Sequence, residues 1–528
     1  MLMGDMLSRN AGLYGDQVSL VDIDTDLPSR RELTWREFDE RANRFSNLLL
    51  SRGLKKGDKV AVLLRNCLEW LPIYFGILRS GAVAVCLNTL FTEDEIRHCL
   101  ELVKARALVF GPEFSDCAGK VCRGLPAIRL RLLVGKVPPP PFADSAERLA
   151  ASCSAAAPGV ELGEEDEAGI YFSSGTTGFP KAILLVQRNL VGACLTELND
   201  HHQTKEDNFL CMPPLYHTGA KMHWFGNLPV GAKAVLLHGK ESKSPQQILR
   251  TISEEKVTIV WLLVPWAQDI LDSVERGDVK LEDYRLSQWR LLHIGAQPVP
   301  PELIRRWRKV FPGQLYDTTY GLTEAGGPGC IHLGMENVGK VGAIGRPAPG
   351  WDARIVDDAG APVPSGKIGE LAVKGPGVMK GYFNDPQATA SVLKDGWLLT
   401  GDLARVDGDG FIWLVDRKKD IIIRSGENIY PVQIEDFLHE HPAVADAAVI
   451  GIPDRCRGEV VGAVVERKPG CSCSEEEILG FCSRLPKYKR PVKVFFGEVP
   501  RNSTGKIKKQ LLKEKYCEPE KAVRTGKL

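Results

Sequence analysis

Apolar residues fall at helical spacing between Leu33 and Leu50, where Phe38, Ala42, Phe45 and Leu49 share one face and Thr34 stands where an N-cap belongs. A short apolar run over 59–64 follows Gly57-Asp58 and predicts a buried strand. Glu69 to Arg79 then reads as a helix, and Ala82 to Leu87 as the next strand. Strand, helix, strand at this spacing predicts a parallel sheet covered by helices, which Ala107–Phe110 and Arg131–Val134 extend.

The pattern changes along the chain. Pro138 to Pro141 and the Ser/Ala-rich stretch to Pro158 read as a surface loop. A second α/β region runs from Ile170 to Ile294. Beyond Val338, short strands separated by Gly and Pro continue to Phe411–Val415, the texture of a small β-barrel or mixed sheet. After Asp416-Arg417 comes a last unit, with a helix over Ile434–His439 and strands over Ala447–Ile450 and Val460–Glu466. The predicted fold class is α/β: a large N-terminal domain (1–415) of helix-covered, mainly parallel sheets plus a barrel-like subdomain, and a small α+β C-terminal domain (416–528).

Composition adds mostly exclusions. A chain of 528 residues exceeds one ordinary core, and 44% hydrophobic with 26% charged residues is ordinary globular usage. Lys+Arg 68 against Asp+Glu 67 leaves +1, so bulk charge offers no attraction to nucleic acid or an anionic membrane. The first residues, with Asp5, Arg9 and Asp16, do not read as a secretory signal, and no apolar stretch is long enough to span a bilayer. The 14 cysteines are scattered without a CxxC pair, and Cys471 and Cys473 flank a single serine, so reduced thiols in a cytoplasmic protein are expected. The final RTGKL carries no retention or lipidation signal, and a homodimer is left open.

The segment Tyr171-Phe172-Ser173-Ser174-Gly175-Thr176-Thr177-Gly178-Phe179-Pro180-Lys181 is the most informative. It follows an apolar strand and was expected to precede a helical stretch. Glycines let backbone N–H groups turn toward an anion, hydroxyls add donors, and Lys181 brings a positive charge. The Walker spacing is absent. This loop resembles the phosphate-loop signature of the adenylate-forming (AMP-binding) superfamily, which includes acyl-CoA synthetases, luciferases and peptide-synthetase adenylation domains. PPLYHTGA at 213–220, YGLTEAGG at 320–327, GWLLTGDLARVD at 396–407, DRKKDIIIRSGENIYP at 416–431 and PRNSTGKIKK at 500–509 follow in the family's order.

The resemblance implies a two-step reaction. A carboxylate attacks the α-phosphate of ATP to give acyl-AMP and pyrophosphate, and the thiol of coenzyme A then takes the acyl group. It further implies that Ser173, Ser174, Gly175, Thr176, Thr177, Gly178 and Lys181 hold phosphates. Gly295, Ala296, Gln297, Tyr320 and Gly321 flank adenine, Thr323 contacts the α-phosphate, and Glu324 holds Mg²⁺. A carboxylate suits two adjacent hydroxyl donors, so Asp402 is read as the ribose acceptor, with Arg417 nearby. Lys506 would neutralise the carboxylate and α-phosphate oxygens during adenylation. Lys419 would be the hinge of a moving C-terminal domain, with Ser425, Gly426 and Glu427 lining the thiol tunnel. His217, Met222, Trp224, Phe225, Val264 and Pro265 are candidates for the acid pocket.

Four positions depart from the family's pattern: Gln187 where His is usual, Gln297 for a smaller residue, and Thr318 and Thr319 before Tyr320. Gln297 and Thr319 are the departures expected to bear on the acid pocket. Two other functions compete with a ligase for a hydrophobic acid. Transfer to a carrier protein on another chain would fit the same adenylation residues. A non-catalytic nucleotide binder would be favoured by loss of Lys181, Glu324, Asp402 or Lys506, all of which are present.

Overall fold

The helix Trp35–Ser51 forms where the apolar spacing places it. Thr34 Oγ1 accepts from Glu37 N, and the Glu37 carboxylate accepts from Thr34 N, so two otherwise orphaned donors at its start are met. Its Phe38 packs edge-on against Phe75 of the helix Trp70–Arg79, with centroids 5.2 Å apart. The computed structural model describes residues 1–27, 29–173, 180–296, 299–327, 329–501 and 507–517.

Among these residues, two large sheets share a core. An eight-stranded sheet is parallel through Glu167–Ser173, Val83–Cys86, Lys59–Leu63 and their neighbours, with an antiparallel edge at Lys181–Val186 and Gly381–Tyr382. A nine-stranded sheet is parallel through Leu315–Tyr320, Leu291–Gly295, Ile259–Leu263 and Asn208–Cys211. One continuous apolar cluster takes residues from both sheets, including Val60, Ile183, Leu236 and Leu292, and from the helices, including Phe38, Phe75 and Trp224.

The barrel-like subdomain takes the form of a five-stranded antiparallel sheet, with Trp397–Val406 at its centre and Ile412–Arg417 paired to it. The last unit builds its own sheet around the hairpin Val444–Asp454 and Gly458–Arg467, over a separate core with Ile434, Leu438 and Val461. These strands run longer than the apolar run of each suggests, because the antiparallel ladder carries on through Pro453 and Asp454 to Gly458. The loop expected over 138–158 holds a short helix, Ala146–Ala151, capped by Ser145 Oγ accepting from Arg148 N. Low complexity masked a helix made of good helix formers.

Candidate active site

The strand Glu167–Ser173 returns antiparallel as Lys181–Val186, with Ser173 opposite Lys181. Ser174, Gly175, Thr176, Thr177 and Gly178 lie between them, outside the described residues, as do Gln297 and Lys506. The helical stretch expected after this segment is the helix Gln187–Asp200, and the strand Lys181–Val186 comes between. Ala182 to Val186 are all buried, and their ladder to the preceding strand outweighs any helical tendency. Lys181 is exposed, its Nζ 5.0 Å from the centre of the Tyr382 ring.

Three of the residues expected on the nucleotide meet. Tyr320, the last residue of its strand, donates its phenolic O–H to Asp402 Oδ2 at 2.6 Å. Arg417 Nε stands 3.1 Å from Asp402 Oδ1, and the two residues are opposite each other on adjacent antiparallel strands. Burial and the Asp402 charge raise the Tyr320 phenol well above its usual value, so it stays a donor. A carboxylate has about four acceptor positions, and these two contacts leave room for two hydroxyls. Gly295 faces Thr319 across the parallel pair, and a Cβ there would come within 2.8 Å of Thr319 O, so the close strand approach requires glycine. Ala296 follows with φ +69°, Gly321 is exposed after Tyr320, and Thr323–Ala325 form a single 3-10 turn.

Glu324 Oε1 accepts from the Tyr382 hydroxyl at 3.0 Å, and Glu324 O accepts from Met379 N at 2.9 Å. Thr218 Oγ1 reaches Thr323 Oγ1 at 3.5 Å. Between Glu324 and the strand Trp397–Val406 opens a cleft of about 430 Å³, lined by Leu322, Glu324, Tyr382, Thr400, Gly401 and Lys418 among others. Glu370 braces its far wall, accepting from Gly401 N at 3.0 Å and pairing with Lys418 Nζ at 3.0 Å. Tyr382 and Glu370 were not anticipated from sequence. Tyr382 arrives only because Gly381–Tyr382 pairs with Leu184 and Ile183 at the sheet edge, a juxtaposition no local spacing encodes.

His217 caps the helix Thr218–Phe225, its ring 4.6 Å from that of Tyr216. Burial and the adjacent Lys221 ammonium push its imidazole down to about 3, so it is neutral. Lys221 is itself wholly buried and donates to Leu215 O at 3.0 Å and His217 O at 3.3 Å, fixing the segment that carries His217. Burial pulls Lys221 down to about 8. Met222 and Trp224 are sealed in the interior. The Trp224 ring stacks at 6.5 Å on Phe38 and meets Phe225 at 5.7 Å, so it faces the helices of the core. Val264 begins the helix Val264–Glu275, almost buried.

Lys419 lies in the turn Lys418–Asp420, which joins the strand Ile412–Arg417 to Ile422–Arg424 in the last sheet. Ser425 (φ +52°) and Gly426 (φ +85°) form the tip of a hairpin that returns at Glu427, and all three are exposed. Among the described residues, no helix is long and apolar enough to cross a membrane.

Comparison with known proteins gives a consistent result. The AMP-binding enzyme family matches residues 7–383, and the AMP-binding enzyme C-terminal domain matches 433–506. A feruloyl-CoA synthase from Amycolatopsis sp is 35% identical over 92% of this chain and 94% of its own length. The long-chain-fatty-acid–CoA ligase FadD13 of Mycobacterium tuberculosis is 32% identical over 97% and 98%. Among solved structures, an anthranilate CoA ligase, AuaEII, in complex with anthranoyl-AMP superposes with a TM-score of 0.88 at 28% identity, covering 98% of this chain and 97% of that one. ATP-bound MatB from Rhodopseudomonas palustris gives 0.87 at 29%, covering 98% and 99%.

Proposed function

We propose, for a chain that belongs to the AMP-binding enzyme family and is an AMP-forming acid–CoA ligase, a division of labour among the residues of this cleft. The enzyme activates a carboxylic acid with ATP through an acyl-adenylate and then forms the CoA thioester. The observation that carries the assignment of residues is the convergence of Tyr320, Arg417 and Asp402 beside the cleft that Glu324 lines.

Asp402 accepts the ribose hydroxyls through its remaining acceptor positions, with Tyr320 and Arg417 fixing its carboxylate. Gly295 and Ala296 flank the base, and Thr323 reaches the α-phosphate. The loop between Ser173 and Lys181 receives the β- and γ-phosphates. Glu324 suits Mg²⁺, a hard ion that prefers carboxylate oxygens, and the Tyr382 hydroxyl orients that carboxylate while one oxygen keeps its acceptor capacity. Mg²⁺ bound with ATP would supply charge neutralisation there. Two anions must meet in the first step, so positioning and countercharge carry catalysis, and Lys181 and Lys506 provide the protein's own cations.

For the acid we assign a hydrophobic, fatty, branched or aromatic substrate. His217, neutral and held by Lys221, stands near the carboxylate end, and Val264 forms part of the apolar wall, with Met222 and Trp224 in the buried layer behind. The ferulate, long-chain fatty acids and anthranilate for which the relatives are named favour that class. We place the domain boundary between 415 and 416, with rotation about Lys419 bringing Ser425, Gly426 and Glu427 to the thiol. The separate core of the last sheet supports this division. A cytoplasmic setting fits the described cysteines, none of which is joined in a disulfide.

A pyrophosphate-release screen over acids of varied length, branching and aromaticity, with and without CoA, tests the reading. We expect release with apolar acids that depends on ATP and Mg²⁺, and a thioester when CoA is present. Release confined to small polar acids would remove the substrate assignment. Release without any CoA thioester would turn the reading toward a carrier protein.

A further inference from the structure

On the strands that end at Gly295 and Tyr320 lies a second cluster of ionisable groups that adenylation does not use. Glu197, His201, Asp317 and His293 are 0% exposed, His332 3% and His223 4%. They come from the helix Gln187–Asp200 and its end, the helix Thr218–Phe225, and the strands Leu291–Gly295, Leu315–Tyr320 and Ile331–His332. Four of the ten histidines in the chain are gathered here.

The hydrogen bonds at the periphery are well made, and those at the centre are not. Asp317 Oδ2 stands 2.8 Å from His201 Nε2 and 2.7 Å from His332 Nδ1. His293 Nε2 meets Thr319 Oγ1 at 2.7 Å. At the centre, Glu197 Oε2, His201 Nδ1 and His293 Nδ1 are buried and have no hydrogen-bond partner among the described residues. They face one another all the same: Glu197 Oε2 lies 3.1 Å from His201 Nδ1, without hydrogen-bond alignment, and 3.8 Å from His293 Nδ1. His223 Nδ1 lies 2.9 Å from the other oxygen, Glu197 Oε1.

Most buried polar atoms in native interiors are hydrogen-bonded, and here three that are not face one another. Protons on the imidazoles offset the two carboxylates but do not resolve the centre. The Glu197 and Asp317 carboxylates hold the His201 imidazole well above its usual value, yet His293 Nδ1, 3.8 Å from Glu197 Oε2, still lacks a partner. A cation meets every demand at once. Around a tetrahedral ion with bonds of about 2.0–2.1 Å, donor atoms sit roughly 3.3 Å apart, and His201 Nδ1 and His293 Nδ1 lie 3.1 and 3.8 Å from Glu197 Oε2. The outer contacts have the arrangement expected around a ligated imidazole. One ring nitrogen donates to a carboxylate or hydroxyl, as His201 can to Asp317 and His293 to Thr319, and this leaves the other lone pair for a metal.

We propose that Glu197, His223 and His293 bind a divalent transition-metal ion of the zinc class, with His201 Nδ1 the next donor in line. Each of the three offers a ligand atom within 4.8 Å of the others. Mixed imidazole and carboxylate donors favour such an ion over Mg²⁺ or Ca²⁺. The site is sealed, so the ion is structural. It ties two helices to the strand that ends in Gly295, and through Thr319 to the residue before Tyr320.

Elemental analysis of the untagged, full-length enzyme, after equilibration with Zn²⁺ and removal of loosely bound ion by EDTA dialysis, reads the site directly. We expect about one ion per chain, a visible absorption band when Co²⁺ replaces it, and a melting temperature that falls when the ion is stripped under mild denaturant. Both Glu197→Gln and His293→Ala should lower retained metal at least about tenfold, while Glu324→Gln keeps it, which separates this site from the nucleotide metal. Retention below a tenth of an equivalent in the wild-type enzyme, with no Co²⁺ band, would overturn the proposal in favour of protons or water. Retention that both cluster variants leave unchanged would overturn it too. The wild-type measurement needs no variant to fold.

Discussion

The strands Leu291–Gly295 and Leu315–Tyr320 carry two different polar environments within a few residues of each other. At the end of the second, Tyr320 donates to Asp402, which keeps acceptor positions for the ribose we assign to it. Two or three residues earlier, His293 and Asp317 point into a sealed cluster with no access for substrate. The open end exchanges its partners each turnover and so is built from groups already oriented by neighbours. The sealed end never exchanges them, and its unmet atoms call for a permanent partner. Polar residues on one strand can therefore serve binding at one position and rigidity at the next, and exposure decides which.

The widest separation of the two roles should come from Lys506→Ala. We expect adenylation to fall on the order of a thousandfold, since a countercharge to the reacting anions is lost. Thioester formation from supplied acyl-AMP should be largely spared and unfolding free energy unchanged; stopped assays of each half-reaction measure this, and equal loss in both would break the assignment. His293→Ala should do the opposite. It leaves the buried Thr319 hydroxyl without its partner and should cost about 1–3 kcal/mol in denaturant unfolding, with the KM for ATP altered far less than stability. A purely kinetic effect would place His293 with the cleft and dissolve the contrast.

Smaller changes test the open end more finely. Asp402→Asn replaces an acceptor-only group with one that also donates, and we expect the KM for ATP to rise about ten- to a hundredfold, the worth of roughly 1.5–3 kcal/mol for charged hydrogen bonds. Tyr382→Phe removes only the hydroxyl that orients Glu324. About 1 kcal/mol, or roughly fivefold in kcat/KM, should be lost, accompanied by a higher Mg²⁺ requirement. If the Mg²⁺ dependence is unmoved, Tyr382 does not act through Glu324.

Local patterns were legible wherever neighbours in sequence are neighbours in space. The helix Trp35–Ser51 with its Thr34 cap, and the strands Lys59–Leu63 and Val83–Cys86, follow from apolar spacing and turn residues. The apolar run after Lys181 has a length that suits a strand or a helix equally, and only the pairing with Glu167–Ser173 decides. Of the site, Tyr320, Glu324, Asp402 and Arg417 could be found because each sits in a motif with its own chemical signature. Tyr382 and Glu370 could not, since each acts through a residue far away in the chain.

Thr319 makes the same point. From sequence it was a departure expected to bear on the acid pocket, whereas its hydroxyl bonds His293 in the sealed cluster. By itself, then, the sequence determined the α/β class, which rests on short-range periodicity, and the order of the motifs, contiguous residues whose resemblance to a known family marks an acid-activating enzyme. Tertiary structure alone decided that His201, His223, His293 and His332 meet around Glu197 and Asp317. Two helices and three strands had to converge before scattered histidines became a single site.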